Sequence, residues 1–287
     1  MSGDDTLTWR ELLEQTAGAL GRPQARWLCE EASGCFGQEF LDEIDQPATT
    51  RCVAHLDSMV ARVRTGEPLQ YVLGHWSFRS LDLMVDRRVL IPRPETELIV
   101  DFVLERLRGL AHRPCVVDMG TGTGAIGLAV AMELPRDACD IVLTDVSESA
   151  LEVARANVAG LGVKAARVSL MSGDWYSALP AELAGTIDVI VSNPPYIAEG
   201  DVAVESAVRE YEPHSALFAG VTGLDDIWTI VNGAPLWLRP GGSLILEIGY
   251  TQAGEVVAHA ESAGFESVTV HKDLAGRDRF VVARLKA

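Results

Sequence analysis

The chain has 287 residues, 48% of them hydrophobic and 23% charged, enough to bury one large or two modest cores, so two domains are expected. A net charge of −17 argues against a protein that holds nucleic acid mainly by neutralising phosphates, a mode that needs a lysine- and arginine-rich surface. No run approaches the roughly 18 apolar residues of a membrane span, and Met1–Asp5 is polar and acidic, unlike a signal peptide, so a cytoplasmic protein is predicted, with no membrane partner.

Residues from about 5 to 66 read as helices. Thr8-x-x-Glu11 forms a capping box ahead of a stripe of Leu12, Leu13, Ala17 and Leu20. Pro23 suits the first turn of a second helix through Trp27, Leu28 and Ala32. A third carries Val53, Leu56, Val60 and Val63 on one face and stops at Gly66, before Pro68. Trp76-Ser77-Phe78 and Leu81-Asp82-Leu83-Met84-Val85 alternate apolar and polar residues, which suggests a hairpin. The expected division is a helical bundle over 1–75, a hairpin linker over 76–95 and a larger domain over 96–287. From Arg51 to Arg93 seven arginines stand against four acids, a locally positive stretch that reads as solvated charge or as a docking face. Cys29, Cys35, Cys52, Cys115 and Cys139 lack Cys-x-x-Cys spacing and read as buried thiols, and the six histidines are scattered, so no metal is predicted.

From residue 115 strands and helices alternate, the pattern of an α/β fold with a mostly parallel sheet covered on both faces. Cys115–Met119 is a strand, and Gly120-Thr121-Gly122-Thr123-Gly124 turns it into a helix beginning near Ala125. Three glycines let the backbone pass close to a ligand and expose N–H groups at a helix start. Ile141–Thr144 is the second strand and ends at Asp145, whose carboxylate can accept both hydroxyls of a ribose. A third strand around Ala166–Leu170 leads to Gly173-Asp174-Trp175, which offers an acceptor for an adenine amine and a ring face for the base. A fifth strand, Ser243–Glu247, follows a turn at Pro240-Gly241-Gly242; then come a helix from about Gln252 to Ala263 and two strands near Val268–Val270 and Arg279–Val282 that close the sheet as an antiparallel hairpin. Gly122-x-Gly124-x-x-Gly127 also fits a dinucleotide fingerprint, so the glycines alone leave the adenosine-bearing cofactor open.

The fourth strand separates the cases. Ile187–Val191 runs into Ser192-Asn193-Pro194-Pro195-Tyr196-Ile197, which sets a side-chain amide, two prolines and a ring at a strand end, where α/β enzymes bind ligands. The prolines hold Asn193 and Pro194 extended, so their carbonyls remain available to accept N–H bonds. Such a segment suits a flat, neutral nitrogen group and has no evident use in hydride transfer.

The chain resembles the protein-glutamine methyltransferases that modify peptide chain release factors, the PrmC or HemK family. The resemblance is carried by Glu67–Tyr71, Ile91-Pro92-Arg93-Pro94-Glu95-Thr96-Glu97, Asp118–Ile126, Ser192–Ile197, Tyr211-Glu212-Pro213 with Ala216-Leu217-Phe218, and Asp273–Arg279. Met119 and Gly127 depart from it, where leucine and alanine are more usual. It implies a class I S-adenosylmethionine-dependent methyltransferase: a Rossmann-like, mostly parallel seven-stranded sheet with an antiparallel closing hairpin, plus a small N-terminal helical bundle. Gly120, Thr121, Gly122, Thr123, Gly124, Asp145, Asp174, Trp175 and Asn193 would border the cofactor, helped by Pro92–Glu97. Asn193, Pro194, Pro195 and Tyr196 would bind the substrate glutamine. In the implied chemistry the Asn193 side-chain oxygen and the Pro194 carbonyl accept the two amide hydrogens while Tyr196 packs on the amide plane, with no dedicated general base. The implied partner is a class 1 release factor, grasped by the helical domain or the arginine-bearing stretch, with no direct contact to nucleic acid. The rivals are the sister enzyme acting on a large-subunit ribosomal protein, an adenine-amine methyltransferase of nucleic acid, and a non-catalytic nucleotide-binding module. Net charge and the lack of a basic, aromatic-rich domain weigh against the second, and the Asn-Pro-Pro-Tyr segment weighs against the third.

Overall fold

The structure, a computed structural model, describes residues 7–202 and 205–287, and the Met1–Asp5 start lies outside them. The chain divides into two compact units after Gly74.

The first unit is helical. Thr8 opens α1 (Trp9–Leu20) with the expected capping box: its hydroxyl accepts from Glu11 N at 3.3 Å, and the Glu11 carboxylate accepts from Thr8 N at 2.9 Å. Pro23 lies in the first turn of α2 (Arg22–Ser33), which ends at left-handed Gly34. The long helix is α4 (Thr50–Arg64), capped by the Thr49 hydroxyl. Two five-residue helices, α3 (Gln38–Asp42) and α5 (Leu69–Leu73), are too short to show a 3.6-residue period, and the sequence reading passed over them. Leu12, Leu28, Phe40, Leu56 and Met59 fill the core, whereas Trp27 lies off it, 43% exposed.

The second unit opens with β1 (His75–Phe78) and β2 (Leu81–Met84), an antiparallel hairpin. After α6 (Glu97–Leu107) the chain alternates: β3 (Cys115–Met119), α7 (Ala125–Glu133), β4 (Asp140–Asp145), α8 (Glu148–Leu161), β5 (Val168–Ser172), β6 (Ile187–Ser192), α9 (Ser206–Tyr211), α10 (Asp225–Trp237), β7 (Leu238–Glu247), α11 (Ala253–Ser262), β8 (Phe265–Lys272) and β9 (Asp278–Leu285). The sheet order is β5-β4-β3-β6-β7-β9-β8, parallel except that β9 runs antiparallel to both its neighbours. This is the class I methyltransferase sheet with its closing hairpin. All six residues of β6 are buried, as a central parallel strand demands. From β3 the chain first winds outward to β4 and β5, then returns to β6 and β7. The reversal leaves a crevice at the carboxyl ends of β3 and β6.

Two expectations about this sheet are corrected. The third strand starts at Val168, because Gly162–Ala165 form a 3-10 turn. Pro240-Gly241-Gly242 is not a turn before the fifth strand but a bulge inside β7: Ile187 pairs with Leu238 and Val189 with Ser243, so four residues face Asp188 alone. Gly242 fits there because a Cβ would meet the carbonyls of Arg239 and Ile187 at 3.0 Å.

The arginine-bearing stretch is largely neutralised. Arg62 pairs with Glu67, Arg79 with Asp101 and Glu133, Arg88 with Asp86 and Glu152, and Arg93 with Glu212. The cysteines are free thiols, but only Cys29 and Cys139 are buried; Cys35, Cys52 and Cys115 are half-buried. Among the described residues no helix is long and apolar enough to cross a membrane.

Candidate active site

The glycine loop leaves β3 with Gly120, Gly122 and Gly124 all at positive φ (65°, 55° and 86°), a conformation that favours glycine. Its backbone is fastened on several sides. Thr121 N donates to Thr144 O at 2.9 Å, Gly122 N to Asp145 Oδ2 at 2.9 Å, and the Asn157 amide to Thr123 O at 2.9 Å. Beneath the loop, Asp118 Oδ2 accepts from the Thr121 hydroxyl at 2.7 Å and from Gly127 N at 3.0 Å. Its Oδ1 is buried without a hydrogen-bond partner among the described residues. Burial, with Asp145 adding in the same direction, pushes this carboxyl up to about 7.

Gly120, Gly122, Asp145, Asp174, Trp175 and Asn193 share the wall of one cavity of about 310 Å³. Thr121 and Thr123 border a smaller adjoining hollow together with Gly120, Gly122, Thr96 and Asn193. Gly124 lines neither and packs against Leu128 and Leu143. Asp145 accepts from Ser147 N and Gly122 N, both at 2.9 Å, and burial raises its acid form. Trp175, itself at φ 45°, donates its indole N–H to Asp226 Oδ1 at 3.2 Å; the edge of its ring lies 3.5 Å from where a Cβ on Gly120 would stand. Burial raises the Asp226 carboxyl, and Asp174 and Asp225 push the same way. The chamber therefore holds three carboxylates, Asp145, Asp174 and Asp226, while Arg88 on its rim is bound by Asp86 and Glu152. An acid-lined space floored by side-chain-free glycine fits an adenosine cofactor carrying positive charge.

After β6 the Ser192 hydroxyl donates to Met119 O at 2.6 Å and locks the two strand ends together. The Asn193 amide nitrogen donates to the Thr96 hydroxyl at 3.3 Å. Pro195 lines the acid chamber, while Pro194 and Tyr196 line a neighbouring cavity of about 420 Å³ with Leu90, Arg93 and Glu205. Asn193 belongs to both walls. The Tyr196 hydroxyl donates to Glu247 Oε1 at 3.2 Å, and burial raises the phenol, with Glu247 adding to it. The main chain beyond is fixed as well: Gln252 Nε2 donates to Tyr196 O at 3.0 Å and to Gly223 O at 3.1 Å. Gly223 is required there, since a Cβ would strike the Tyr196 carbonyl and sit 2.9 Å from Ala198 N.

Glu247, Asp118 and Glu212 escaped the sequence reading as site residues. The first two are fully buried acids in strands, Glu247 pushed up to about 7 by burial, and an ionisable residue inside an apolar run was the available signal. Glu212, almost fully buried, accepts from Ile91 N at 3.2 Å and from Arg93 at 2.6 Å, tying two motif segments together beside Arg93, which lines the cavity of Pro194 and Tyr196.

This fold and this site define a class I, S-adenosylmethionine-dependent methyltransferase. Residues 96–211 match the family described as methyltransferase small domain, and residues 8–74 match the PrmC N-terminal domain. Among curated proteins, the release factor glutamine methyltransferase of Streptomyces coelicolor is 41% identical over 274 residues, spanning 94% of each chain. That of Xylella fastidiosa is 37% identical over 273 residues, spanning 95% of this chain and 96% of the relative. The chain belongs to the release factor glutamine methyltransferase family. A solved methyltransferase from Pyrococcus furiosus shares the fold at 17% identity, with a TM-score of 0.50 over 80% of this chain and 100% of that one.

Proposed function

We propose that this chain transfers a methyl group from S-adenosylmethionine to the side-chain amide nitrogen of the glutamine in the Gly-Gly-Gln motif of class 1 peptide chain release factors, in the cytoplasm. The observation that carries the reading is Asn193, shared by the acid-lined chamber and by the cavity that Pro194 and Tyr196 border. A group held at that wall faces both spaces. The similarity to release factor glutamine methyltransferases supports the choice of acceptor.

When bound, S-adenosylmethionine supplies an electrophilic methyl carbon whose sulfur leaves as a neutral thioether. Asp145 would take the ribose hydroxyls, Trp175 and Asp174 the adenine, and Gly120 to Gly124 the methionine end. An amide nitrogen is a poor nucleophile because its lone pair is delocalised into the carbonyl, so the protein's task is chiefly to aim it. Asn193 Oδ1 and the Pro194 carbonyl would accept its two hydrogens while Tyr196 and Pro195 confine the amide plane. As the nitrogen forms its new bond it gains positive charge, which those acceptors stabilise, and the acidified product loses a proton to water. Aiming of this kind can contribute about 7–11 kcal/mol. The helical unit would recognise the folded release factor.

Incubation with methyl-labelled cofactor and a release factor, a large-subunit ribosomal protein or DNA tests the reading. Label confined to the Gly-Gly-Gln glutamine, located by peptide mass spectrometry, supports it; label in the ribosomal protein or in DNA instead refutes it. Removing residues 1–74 should weaken binding of the release factor, and unchanged affinity and rate would take the helical unit out of recognition.

A further inference from the structure

Glu247 ends β7 with none of its surface exposed, and one side chain joins it to Asn193. The Thr96 hydroxyl donates its only proton to Glu247 Oε2 at 2.7 Å. A hydroxyl whose proton is committed can offer its next neighbour only a lone pair. The Asn193 atom 3.3 Å from it is therefore the amide nitrogen, and the amide oxygen is turned to the opposite side. The other carboxylate oxygen, Glu247 Oε1, accepts from the Tyr196 hydroxyl at 3.2 Å. Arg279 completes the group: Nη1 donates to Ile248 O at 3.0 Å and approaches the Tyr196 hydroxyl at 3.4 Å, while Asp273 stands 3.8 Å from Nε.

We infer that Glu247 is a positioning residue: as a carboxylate it accepts from Thr96 and Tyr196, and through Thr96 it sets the Asn193 amide so that its oxygen, not its nitrogen, meets the nitrogen to be methylated. The inference rests on the reading of Asn193 as the substrate clamp. With the amide reversed, two N–H groups would confront a substrate N–H₂, donor against donor, and binding would lose the acceptor it needs. Buried as it is, Glu247 does not touch the substrate and acts only through Thr96 and Tyr196.

Three variants separate orientation from simple structural support. Thr96→Val keeps the shape and removes the relay, Thr96→Ser keeps the hydroxyl, and Glu247→Gln keeps the volume but replaces one acceptor by a donor. In steady-state methylation of a release factor, Thr96→Val and Glu247→Gln should lower kcat roughly tenfold or more, with the calorimetric Kd for cofactor within about threefold of wild type; Thr96→Ser should recover kcat to within about threefold. Undiminished kcat in Thr96→Val overturns the inference while leaving the substrate reading intact.

A second measurement needs no acceptor protein. Asparagine occurs at positions 157, 193 and 232 alone, so ¹⁵N-asparagine labelling gives three side-chain amides to assign. An Asn193 side-chain proton should exchange with water roughly tenfold more slowly in wild type and Thr96→Ser than in Thr96→Val. Equal rates in wild type and Thr96→Val overturn the inference whatever the substrate proves to be. Failure of wild type to methylate a release factor, with the exchange difference present, refutes the substrate reading and leaves the orientation of Asn193 supported.

Discussion

The indole of Trp175 is tethered to Asp226 by a 3.2 Å hydrogen bond that leaves the edge of the ring beside Gly120. The tether comes from the first turn of α10, so the ring proposed to stack on adenine is set by a different element from the one that carries it. Stacking of a base on an aromatic ring contributes about 1–3 kcal/mol, so Trp175→Ala should raise the cofactor Kd by roughly 5- to 150-fold in calorimetry. Asp226→Asn retains an acceptor oxygen and should cost about threefold or less. Wild-type affinity in Trp175→Ala would move the adenine elsewhere.

Asp145 supports both the loop and its proposed ligand. Its oxygens accept from Gly122 N and Ser147 N, so Asp145→Ala leaves two backbone donors unpaired as well as deleting the proposed ribose acceptor. Cofactor affinity should fall about 100-fold and melting temperature by several degrees, each missing bond costing about 1–3 kcal/mol. A loss of affinity with no change in melting temperature would mean that the loop does not depend on this carboxylate.

For Asn193→Ala, turnover is the sensitive quantity. Removing one preorganised polar group aimed at developing charge costs about 10²–10³ in kcat. The cofactor Kd should stay within about threefold, because the chamber keeps Asp145, Asp174 and Trp175. Near-normal turnover would remove Asn193 from the chemistry.

Glu247 makes turnover depend on pH. Burial raises this carboxyl to about 7; the Thr96 hydroxyl, Arg279 and the Tyr196 hydroxyl favour its charged form, and Glu95 opposes it. Above pH 7 it is ionised and accepts from both hydroxyls; below, its own proton competes with that of Thr96 for the shared bond. In wild type kcat should rise several-fold, roughly up to tenfold, between pH 6 and 8. Glu247→Gln should flatten that rise, and an identical profile in the variant would assign the titration to another group.

Asp118 couples stability to pH with a definite sign. Its carboxyl is near 3.8 when unfolded and about 7 when folded, so the native state holds the proton more tightly. The stability it contributes is complete below pH 4, declines as pH rises towards 7 and is gone above it. Across that window the change approaches about 4 kcal/mol as an upper bound. Asp118→Asn should be less sensitive to pH from 4 to 7 in denaturant titrations; an unaltered dependence would show that Asp118 is ionised throughout.

Much of the fold was legible because its signals are local. Cys115–Met119, the glycine loop and the Asn-Pro-Pro-Tyr segment each combine an apolar strand with residues of distinctive backbone behaviour, and the strand and loop lie where the sequence puts them. Pro240-Gly241-Gly242 misled because the same residues mark a turn or a bulge, and only pairing with Ile187 and Val189 decides between them. At Gly127 an added Cβ would overlap a methyl of Leu143, so that side chain would have to shift for a larger residue. The Glu247 relay was invisible in the sequence because Thr96 lies 151 residues from Glu247 and 97 from Asn193, distances at which no periodicity carries information.

Under the proposed function, the wall that Asn193 shares between the two cavities divides the protein's evolutionary freedom. Glu205, Val208 and Leu217 border the cavity of Pro194 and Tyr196 without touching the acid-lined one, so their replacement should retune which polypeptide is accepted while the proposed nucleoside end stays as it is. Leu90, Asn193 and Ala216 belong to both and have no such latitude. New acceptor preferences within this lineage should therefore arise on the outer rim, with the partition itself left unaltered.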